Sequence, residues 1–232
     1  MFTSLELTGR VATHVRLASE LAATLHPAAA AAAMTLRNAA RAEGFDLTIV
    51  SSFRDFDRQA AIWNAKYQGE RPLRDRQERL IDPATLDERG RVDAILIWSA
   101  LPGASRHHWG TDIDVVDKAA TPADYRPQLT AREFSSAGPY AALNEWLGEN
   151  LHRFEFFRPY TVDKGGVQPE PWHLSYAPIA VPALDALTLD VLLEAVATSS
   201  MFGREQVLAR LPELYARFVT NVDQPPDQAF LI

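Results

Sequence analysis

Two short clusters in this chain contain residues that can bind a metal ion and move a proton. The first runs from Ser105 to Asp114 and includes His107, and the second begins at Glu170 and ends at His173. A catalytic zinc site uses three His, Asp or Glu ligands, leaves one position open for water and keeps a carboxylate nearby to take the proton. His107, Asp114 and His173 are therefore candidate metal ligands, and Glu170 is the candidate acid–base residue.

The first cluster can supply two ligands only if the chain bends within it. His107 and Asp114 are seven positions apart, which on a straight strand would separate them by roughly 23 Å. Gly110 lies between them and can adopt the positive φ of a tight bend. Residues 111–116 then alternate polar and apolar side chains, which predicts a strand on which Asp112 and Asp114 share a face.

The second cluster also requires a bend. Glu170 and His173 are three positions apart with Pro171 between them, and proline argues against a helix interior. We predict an extended or turning entry into a short strand over residues 172–176. Because odd spacing on a strand places two side chains on opposite faces, a bend near Pro171 must bring the Glu170 carboxylate towards the metal.

The order of these residues resembles a known family. Ser-x-His-x-x-Gly-x-x-x-Asp followed by Glu-x-Trp-His is similar to the zinc D-alanyl-D-alanine carboxypeptidases and dipeptidases of the VanY and VanX type. A third block, residues 51–55 with Gln59, resembles that family's Ser-x-x-Arg and Gln segment, and residues 102–105 resemble its lead-in to the first histidine. The likeness covers roughly residues 40–180. Three blocks in the same order are more specific than any one alone.

The resemblance implies an α+β domain over residues 1–180, with a small antiparallel sheet that carries the zinc site and is flanked by helices. It implies that His107, Asp114 and His173 bind Zn2+ and that Glu170 acts first as base and then as acid. Arg54 would face either the developing oxyanion or a substrate carboxylate, since its planar fork of donors suits both. The residues predicted to bind a peptide or muropeptide substrate are Gln59, Ser105 and Trp172.

Three features depart from the family pattern. Asp112 occupies a position that is usually small and apolar, so it is either a rival ligand or a partner that orients a histidine. After His173 the chain reads Leu-Ser-Tyr where many members carry a basic residue. Residues 67–92 are longer and more charged than expected. These departures bear on the choice of substrate more than on the metal.

The remaining histidines are predicted to be structural. His14, His26 and His152 lie outside the clusters. His108 is adjacent to His107, and because neighbouring side chains on an extended segment point apart, we favour His107 as the ligand.

Composition narrows the class of protein. The chain has 232 residues, 47% of them hydrophobic, and its net charge of −7 argues against a nucleic-acid partner. It contains no cysteine, so a metal must bind nitrogen and oxygen atoms. Residues 1–25 lack the apolar core of a leader or a membrane span, so we expect a cytoplasmic protein.

Hydrophobic periodicity and the residues that begin and end helices predict the secondary structure around the site. We expect helices over residues 5–25, from Pro27 to just before Gly44, after an N-cap at Asp55, and over residues 140–151. Strands are expected over residues 46–50 and 154–157. Residues 67–95 are interpreted as a solvated excursion in preference to a cover for the cleft. Residues 181–232 are predicted to form a helical appendage, with a hairpin over residues 184–198 and 204–219 that Pro212 interrupts, followed by an irregular tail in the last ten residues.

The sequence thus predicts a zinc peptidase that cleaves the terminal amide of D-amino-acid-containing peptides. One alternative is a peptidoglycan endopeptidase that uses the same site on an L-Ala to D-Glu or cross-link bond. The other is a non-catalytic zinc-binding interaction protein, of which the related hedgehog-type domains are an example. The presence of Glu170 beside His173 argues against the second alternative.

Overall fold

Short strands alternate with helices along the chain. The computed structural model describes residues 2–226. Helices α1 to α9 cover Ser4–Leu7, Pro27–Ala42, Phe56–Tyr67, Glu88–Leu96, Ala141–Asn150, Ala177–Ala186, Leu189–Ala197, Arg204–Ala209 and Leu211–Leu214. Strands β1 to β8 cover Arg16–Ala18, Ala23–Leu25, Leu47–Ser51, Leu73–Arg74, Leu80–Ile81, Asp112–Asp117, Phe156–Phe157 and His173–Tyr176. The predicted α+β class is confirmed.

A four-stranded antiparallel sheet forms the centre of the molecule, with strand order β3-β6-β8-β7. Strands β6 and β8 are buried along their whole length. Val115 and Leu174 belong to one core with Leu36 of α2 and Leu147 of α5. Each such fully buried aliphatic side chain stabilises the fold by roughly 1.5–3 kcal/mol. Because side chains alternate along a strand, Asp112 and Asp114 lie on the other face of β6.

A second hydrophobic core joins the C-terminal helices to the rest of the chain. Trp63 of α3 and Trp109 are fully buried in the same cluster as Leu192 and Val196 of α7 and Val207 of α8. Trp63 also donates a hydrogen bond from Nε1 to the carbonyl oxygen of Phe202 at 3.0 Å. Helix α6 crosses the predicted boundary at residue 180. Both sides of that boundary thus share one core.

Several predicted elements are present close to their expected positions. Helix α2 begins at Pro27, as predicted, and Asp55 caps α3 by accepting a hydrogen bond from the Arg58 backbone at 2.7 Å. Strands β3, β7 and β8 and helix α5 lie within the stretches predicted for them, to within one residue. These segments have strong local signals: a proline at the first turn, a polar cap or a run of alternating residues.

The helix predicted over residues 5–25 is wrong. The segment contains the four-residue helix α1, capped by Thr3 and Glu6, followed by an antiparallel hairpin of β1 and β2. Gly9 has a φ of +72° and Ala22 a φ of +50°, and neither value occurs inside a right-handed helix. The hairpin packs its buried residues against α2. Tertiary packing therefore determines the structure of this segment, and the helix that local periodicity predicts does not form.

The C-terminal helices are more numerous than the two predicted. A helix begins at Ala177 and includes Pro182, and a new helix begins after Thr188, whose side chain accepts a hydrogen bond from Val191. The predicted interruption near Pro212 is present, because α8 ends at Ala209 and Pro212 lies in the first turn of α9. A π turn at Tyr215–Val219 follows. Residues 223–226 of the predicted tail have no regular structure, and its last six residues lie outside the described part of the chain.

Residues 67–95 differ from the solvated excursion that was predicted. They contain the hairpin of β4 and β5 and most of α4, and Val92 and Leu73 are buried. Trp98 donates a hydrogen bond to the backbone oxygen of Asp75 at 3.0 Å, which ties the hairpin to the end of α4. Within residues 2–226, no helix is both long enough and apolar enough to cross a lipid bilayer.

Candidate metal centre

The bend that brings His107 and Asp114 together is formed at Gly110. A 3-10 turn over Arg106–Trp109 ends at this glycine, which has φ +67°, and β6 begins two residues later. A Cβ atom at Gly110 would lie 2.4 Å from Cγ1 of Val15 and 2.8 Å from the backbone nitrogen of His26. Only glycine therefore fits this position. The chain reverses and places Nε2 of His107 3.4 Å from Oδ2 of Asp114.

Three buried side chains converge at this point. The ligand atoms of His107, Asp114 and His173 all lie within 4.8 Å of one another. Asp114 and His173 are direct cross-strand partners of β6 and β8, which places Nδ1 of His173 3.3 Å from Oδ1 of Asp114. The sheet register therefore brings together residues 59 positions apart in the sequence.

Hydrogen bonds on the far side of each imidazole ring determine which nitrogen faces the centre. Nδ1 of His107 lies 3.0 Å from the carbonyl oxygen of Ser52. A carbonyl only accepts, so Nδ1 carries the hydrogen and Nε2 presents its lone pair to the site. In His173, Nε2 lies 2.9 Å from Oδ1 of Asp112, and Nδ1 faces the site. Histidines that bind metals usually have such partners.

Asp112 is part of a buried network and is not directed at the centre as a ligand. Arg106 donates a hydrogen bond from Nε to Asp112 Oδ1 at 2.8 Å, and Thr111 donates to Oδ2 at 2.6 Å. Arg106 also donates to Oγ of Ser175 at 2.6 Å. Burial raises the pKa of Asp112, but Arg106 and the hydrogen bond from His173 outweigh it, so the pKa lies well below its usual value. Asp112 is thus an ionised partner of His173.

The donor set and its charge fit a divalent cation. Oδ1 of Asp114 is buried and has no hydrogen-bond partner among residues 2–226. Burial lowers the pKa of His173, but the neighbouring carboxylates of Asp112, Asp114 and Glu170 outweigh it and raise the pKa well above its usual value. These carboxylates therefore favour a positive charge at this point. Two imidazole nitrogens and one carboxylate oxygen are ligands that zinc accepts.

Glu170 reaches the centre through a turn, as the bend predicted near Pro171 requires. The backbone nitrogen of His173 donates to the Glu170 carbonyl at 3.1 Å, and the Glu170 nitrogen donates to the Tyr160 carbonyl at 3.0 Å. Oε2 of Glu170 then lies 3.2 Å from Nδ1 of His173. Burial raises the pKa of Glu170. A carboxylate with a raised pKa can both accept and return a proton near neutral pH.

Arg54 lies beside the centre and is held by Gln59. Its backbone nitrogen donates to the carbonyl of His107 at 3.2 Å, and its guanidinium donates to Oε1 of Gln59 at 2.9 Å. Gln59 in turn donates to the carbonyl of Ala100 at 2.8 Å. Nε of Arg54 is buried without a partner in the described chain. Gln59 thus positions Arg54 from behind and does not itself line the pocket.

His108 points away from the centre and has a structural environment. Its Nδ1 lies 2.6 Å from the carbonyl oxygen of Arg54, and its Nε2 accepts a hydrogen bond from the backbone of Gly103 at 3.1 Å. Burial lowers the pKa of His108 to about 3. The ring is therefore neutral and ties two loops together. This geometry agrees with the preference for His107 over its neighbour.

A cavity of about 340 Å3 opens onto the centre. Ser105 and Trp172, both predicted to bind substrate, line it, and Oγ of Ser105 is buried with no partner within the described residues. Tyr160 lines it as well, with its ring edge-on to His173 at 5.4 Å between centroids. The cavity therefore offers polar and aromatic groups next to the candidate metal ligands.

Several residues of the cavity were not predicted from the sequence. Lys66 follows Gln59 by seven residues, or two helical turns, so its position on the same face of α3 could have been anticipated. Arg106 lies inside the first motif but has no assigned role there. Arg71, Arg74 and Tyr160 come from loops and short strands whose placement no local pattern reveals.

Comparison with known proteins gives consistent results. A family model described as "VanY: D-alanyl-D-alanine carboxypeptidase" matches residues 22–179, which is more than half of the chain. An uncharacterized protein of Haemophilus influenzae is 31% identical over 121 residues, which span 51% of this chain and 92% of that protein. A D-alanyl-D-alanine carboxypeptidase of Enterococcus faecalis is 28% identical over 150 residues, which span 62% of this chain but only 45% of the relative.

The fold itself also has a solved counterpart. A structure described as VanYB in complex with D-alanine-D-alanine aligns with a TM-score of 0.50 at 23% identity, and the alignment covers 78% of this chain and 87% of that one. This likeness concerns the fold. The residues that the family model matches, 22–179, include both candidate clusters and the four-stranded sheet.

Proposed function

Because the chain belongs to the VanY family of D-alanyl-D-alanine carboxypeptidases, we propose that it is a zinc-dependent hydrolase. Its proposed reaction is cleavage of the terminal amide bond in peptides that contain D-amino acids and end in D-alanyl-D-alanine. The substrate would be a small peptide or muropeptide. His107, Asp114 and His173 would hold Zn2+, since their ligand atoms already lie within 4.8 Å of one another.

One observation carries this proposal. Glu170 places its carboxylate 3.2 Å from Nδ1 of His173, beside the three candidate ligands and facing the cavity. A zinc site that only stabilises a fold has four protein ligands and needs no further carboxylate, whereas a hydrolytic site keeps a position open and a base beside it. This arrangement supports an enzyme over a non-catalytic zinc-binding protein.

The side chains have distinct roles in the proposed reaction. When bound, Zn2+ supplies Lewis acidity, which polarises the scissile carbonyl and makes water more acidic. Glu170 accepts a proton from the attacking water and returns it to the nitrogen of the departing D-alanine. Arg54 offers its guanidinium, whose Nε has no hydrogen-bond partner among residues 2–226, to the developing negative charge or to the terminal carboxylate. Gln59 keeps Arg54 in that orientation.

Metal analysis combined with a peptide assay tests the proposal. The zinc-loaded protein should release D-alanine from acetyl-Lys-D-Ala-D-Ala. Glu170→Ala should retain zinc and lose activity, whereas His173→Ala should lose both. Zinc content measured by mass spectrometry separates these two effects. Full turnover by the Glu170→Ala variant would contradict the mechanism. A muropeptide that contains the L-Ala to D-Glu bond serves as a second substrate, and its cleavage at that bond without release of D-alanine would indicate the endopeptidase alternative.

A further inference from the structure

Basic side chains line the cavity in greater number than one terminal carboxylate requires. Arg54, Lys66, Arg71 and Arg74 all face it. Arg106 also lines it but is paired with Asp112 at 2.8 Å. Of the carboxylates along the cavity, Asp114 and Glu170 belong to the metal centre. The third, Glu78, accepts a hydrogen bond from the backbone of Ala131 at 2.7 Å.

The arginines of one short segment differ in their pairing. Arg76 forms an ion pair with Asp163 at 2.7 Å, and Arg79 forms one with Asp75 at 2.7 Å. Neither of these arginines lines the cavity. Arg71 and Arg74, which do, have no carboxylate partner within residues 2–226. The chain has 30 acidic residues against 23 basic ones, so acidic partners are plentiful. Arg74 nevertheless donates only to the backbone oxygen of Glu78, at 2.8 Å, and neither arginine is paired with a carboxylate in the described part of the chain.

Lys66 adds to the same surplus of positive charge. Its ammonium group donates a hydrogen bond to Oγ of Ser99 at 2.6 Å. Burial lowers its pKa, Glu170 opposes the shift, and Arg71, Arg54 and Arg74 add to it, with a net value of about 8. A buried cation among other cations becomes more stable when an anion binds beside it. The wall formed by Lys66, Arg71 and Arg74, here called the basic wall, therefore favours an anionic ligand.

We propose that this enzyme selects peptides that carry a second free carboxylate near the scissile bond, and that Arg71 and Arg74 bind it. The inference rests on the proposed peptidase function. Arg54 is joined through its backbone to His107 at 3.2 Å and lies beside the metal centre, so it suits the carbonyl or the terminal carboxylate, whereas Lys66 already donates to Ser99. Arg71 and Arg74 remain for an acidic group on the amino side of the bond.

A matched pair of peptides tests this selectivity. Acetyl-Glu-D-Ala-D-Ala and acetyl-Gln-D-Ala-D-Ala have the same size and differ by one negative charge. The zinc-loaded protein should cleave the glutamyl peptide with a kcat/KM about tenfold higher. In the variant Arg71→Gln/Arg74→Gln this preference should fall to about twofold or less. Arg89→Gln removes an exposed arginine of α4 that does not line the cavity, and it should leave the preference unchanged.

The outcomes separate this inference from the proposed function. Cleavage of both peptides with equal kcat/KM would overturn the selectivity and leave the peptidase function intact. A preference that persists in the double variant would overturn the assignment to Arg71 and Arg74. If neither peptide is cleaved, the proposed function fails. Calorimetry then measures the Kd of each peptide for the native protein and for the double variant, and tighter binding of the glutamyl peptide by the native protein alone would still support the selectivity. Because Arg71 is exposed, Arg71→Gln alone provides a folded variant should the double variant unfold.

Discussion

His173 and Asp112 are joined by a buried hydrogen bond of 2.9 Å between Nε2 and Oδ1. Because the ionised carboxylate can only accept, Nε2 carries a hydrogen, and Nδ1 is the nitrogen that faces the centre and can bind a cation. Arg106 holds the same carboxylate at 2.8 Å. Of the two roles expected for Asp112, a rival ligand or a partner that orients a histidine, the geometry thus favours the second.

The first prediction concerns this pair. Asp112→Asn should lower zinc affinity by about 10- to 100-fold, since the neutral amide no longer fixes the His173 tautomer or balances Arg106. Competition with a fluorescent chelator measures the affinity. Asp117→Asn is the matched control, because Asp117 is a buried residue of the same strand that accepts hydrogen bonds from the backbones of Asp46 and Ala119, away from the metal centre. Equal zinc affinities for native protein and Asp112→Asn would contradict the role.

The second prediction concerns Gly110, in the bend before β6. Gly44→Ala, just after α2, is the control. It should cost about 1–2 kcal/mol of unfolding free energy, because its φ of +91° is strained for alanine although no atom lies within 4 Å of the new Cβ. Gly110→Ala has similar strain and also collides with Val15 and the backbone of His26. It should cost about 1–3 kcal/mol more than the control. Urea unfolding measures both values, and equal losses would rule out the close approach.

The third prediction concerns Lys66 and pH. Its pKa is lowered to about 8 in the folded protein from an ordinary value of 10.5. At a pH between these two pKa values, Lys66 binds more protons in the unfolded chain than in the folded one. The contribution of Lys66 to stability therefore rises as pH increases. The free energy of unfolding of native protein minus that of Lys66→Met should therefore increase between pH 7.5 and 10.

An exposed lysine provides the control for this experiment. Lys118 lies on the surface beyond β6, and native protein minus Lys118→Met measures how the loss of an exposed lysine charge alone affects the free energy of unfolding over the same range. Urea unfolding at each pH measures the free energies. A difference for Lys66→Met that increases no more than the one for Lys118→Met would show that Lys66 is solvated.

The fourth prediction concerns the C-terminal helices. A chain of residues 1–180 should lose cooperative unfolding, because it lacks Leu192, Val196 and Val207, which are fully buried against Trp63 and Trp109. Each deleted side chain would remove about 2–5 kcal/mol of core stabilisation. Tryptophan fluorescence during thermal unfolding measures this. A cooperative transition in the shortened chain that still binds zinc would instead support an independent domain that ends near residue 180.

The metal centre was more predictable from sequence than the cavity beside it. The ligands lie in compact motifs whose bends are marked by Gly110 and Pro171, and the alternation in β6 placed Asp112 and Asp114 on one face. The pairing of Asp114 with His173 depends on strand register, which spacing alone does not give. In this case the resemblance to a known family supplied it.

The basic wall could not be predicted because its members come from separate local structures. Lys66 lies in the last turn of α3, whereas Arg71 precedes β4 and Arg74 lies within β4. The packing of the hairpin, which Trp98 holds by a hydrogen bond to Asp75, brings them to one cavity. The N-terminal hairpin was missed for a related reason: its strands of three residues each are too short for a clear alternation, and their packing against α2 defines them.

The segment that carries Arg71 and Arg74 contributes no candidate ligand to the metal centre, which is built on β6, β8 and the turn before β6. The arginines proposed to recognise the substrate and the candidate metal ligands thus lie on separate segments of the chain. Substitution or exchange of that segment could redirect the enzyme to neutral or cationic peptides while its hydrolytic machinery stays as it is. Divergence of substrate range among relatives need not disturb the chemistry.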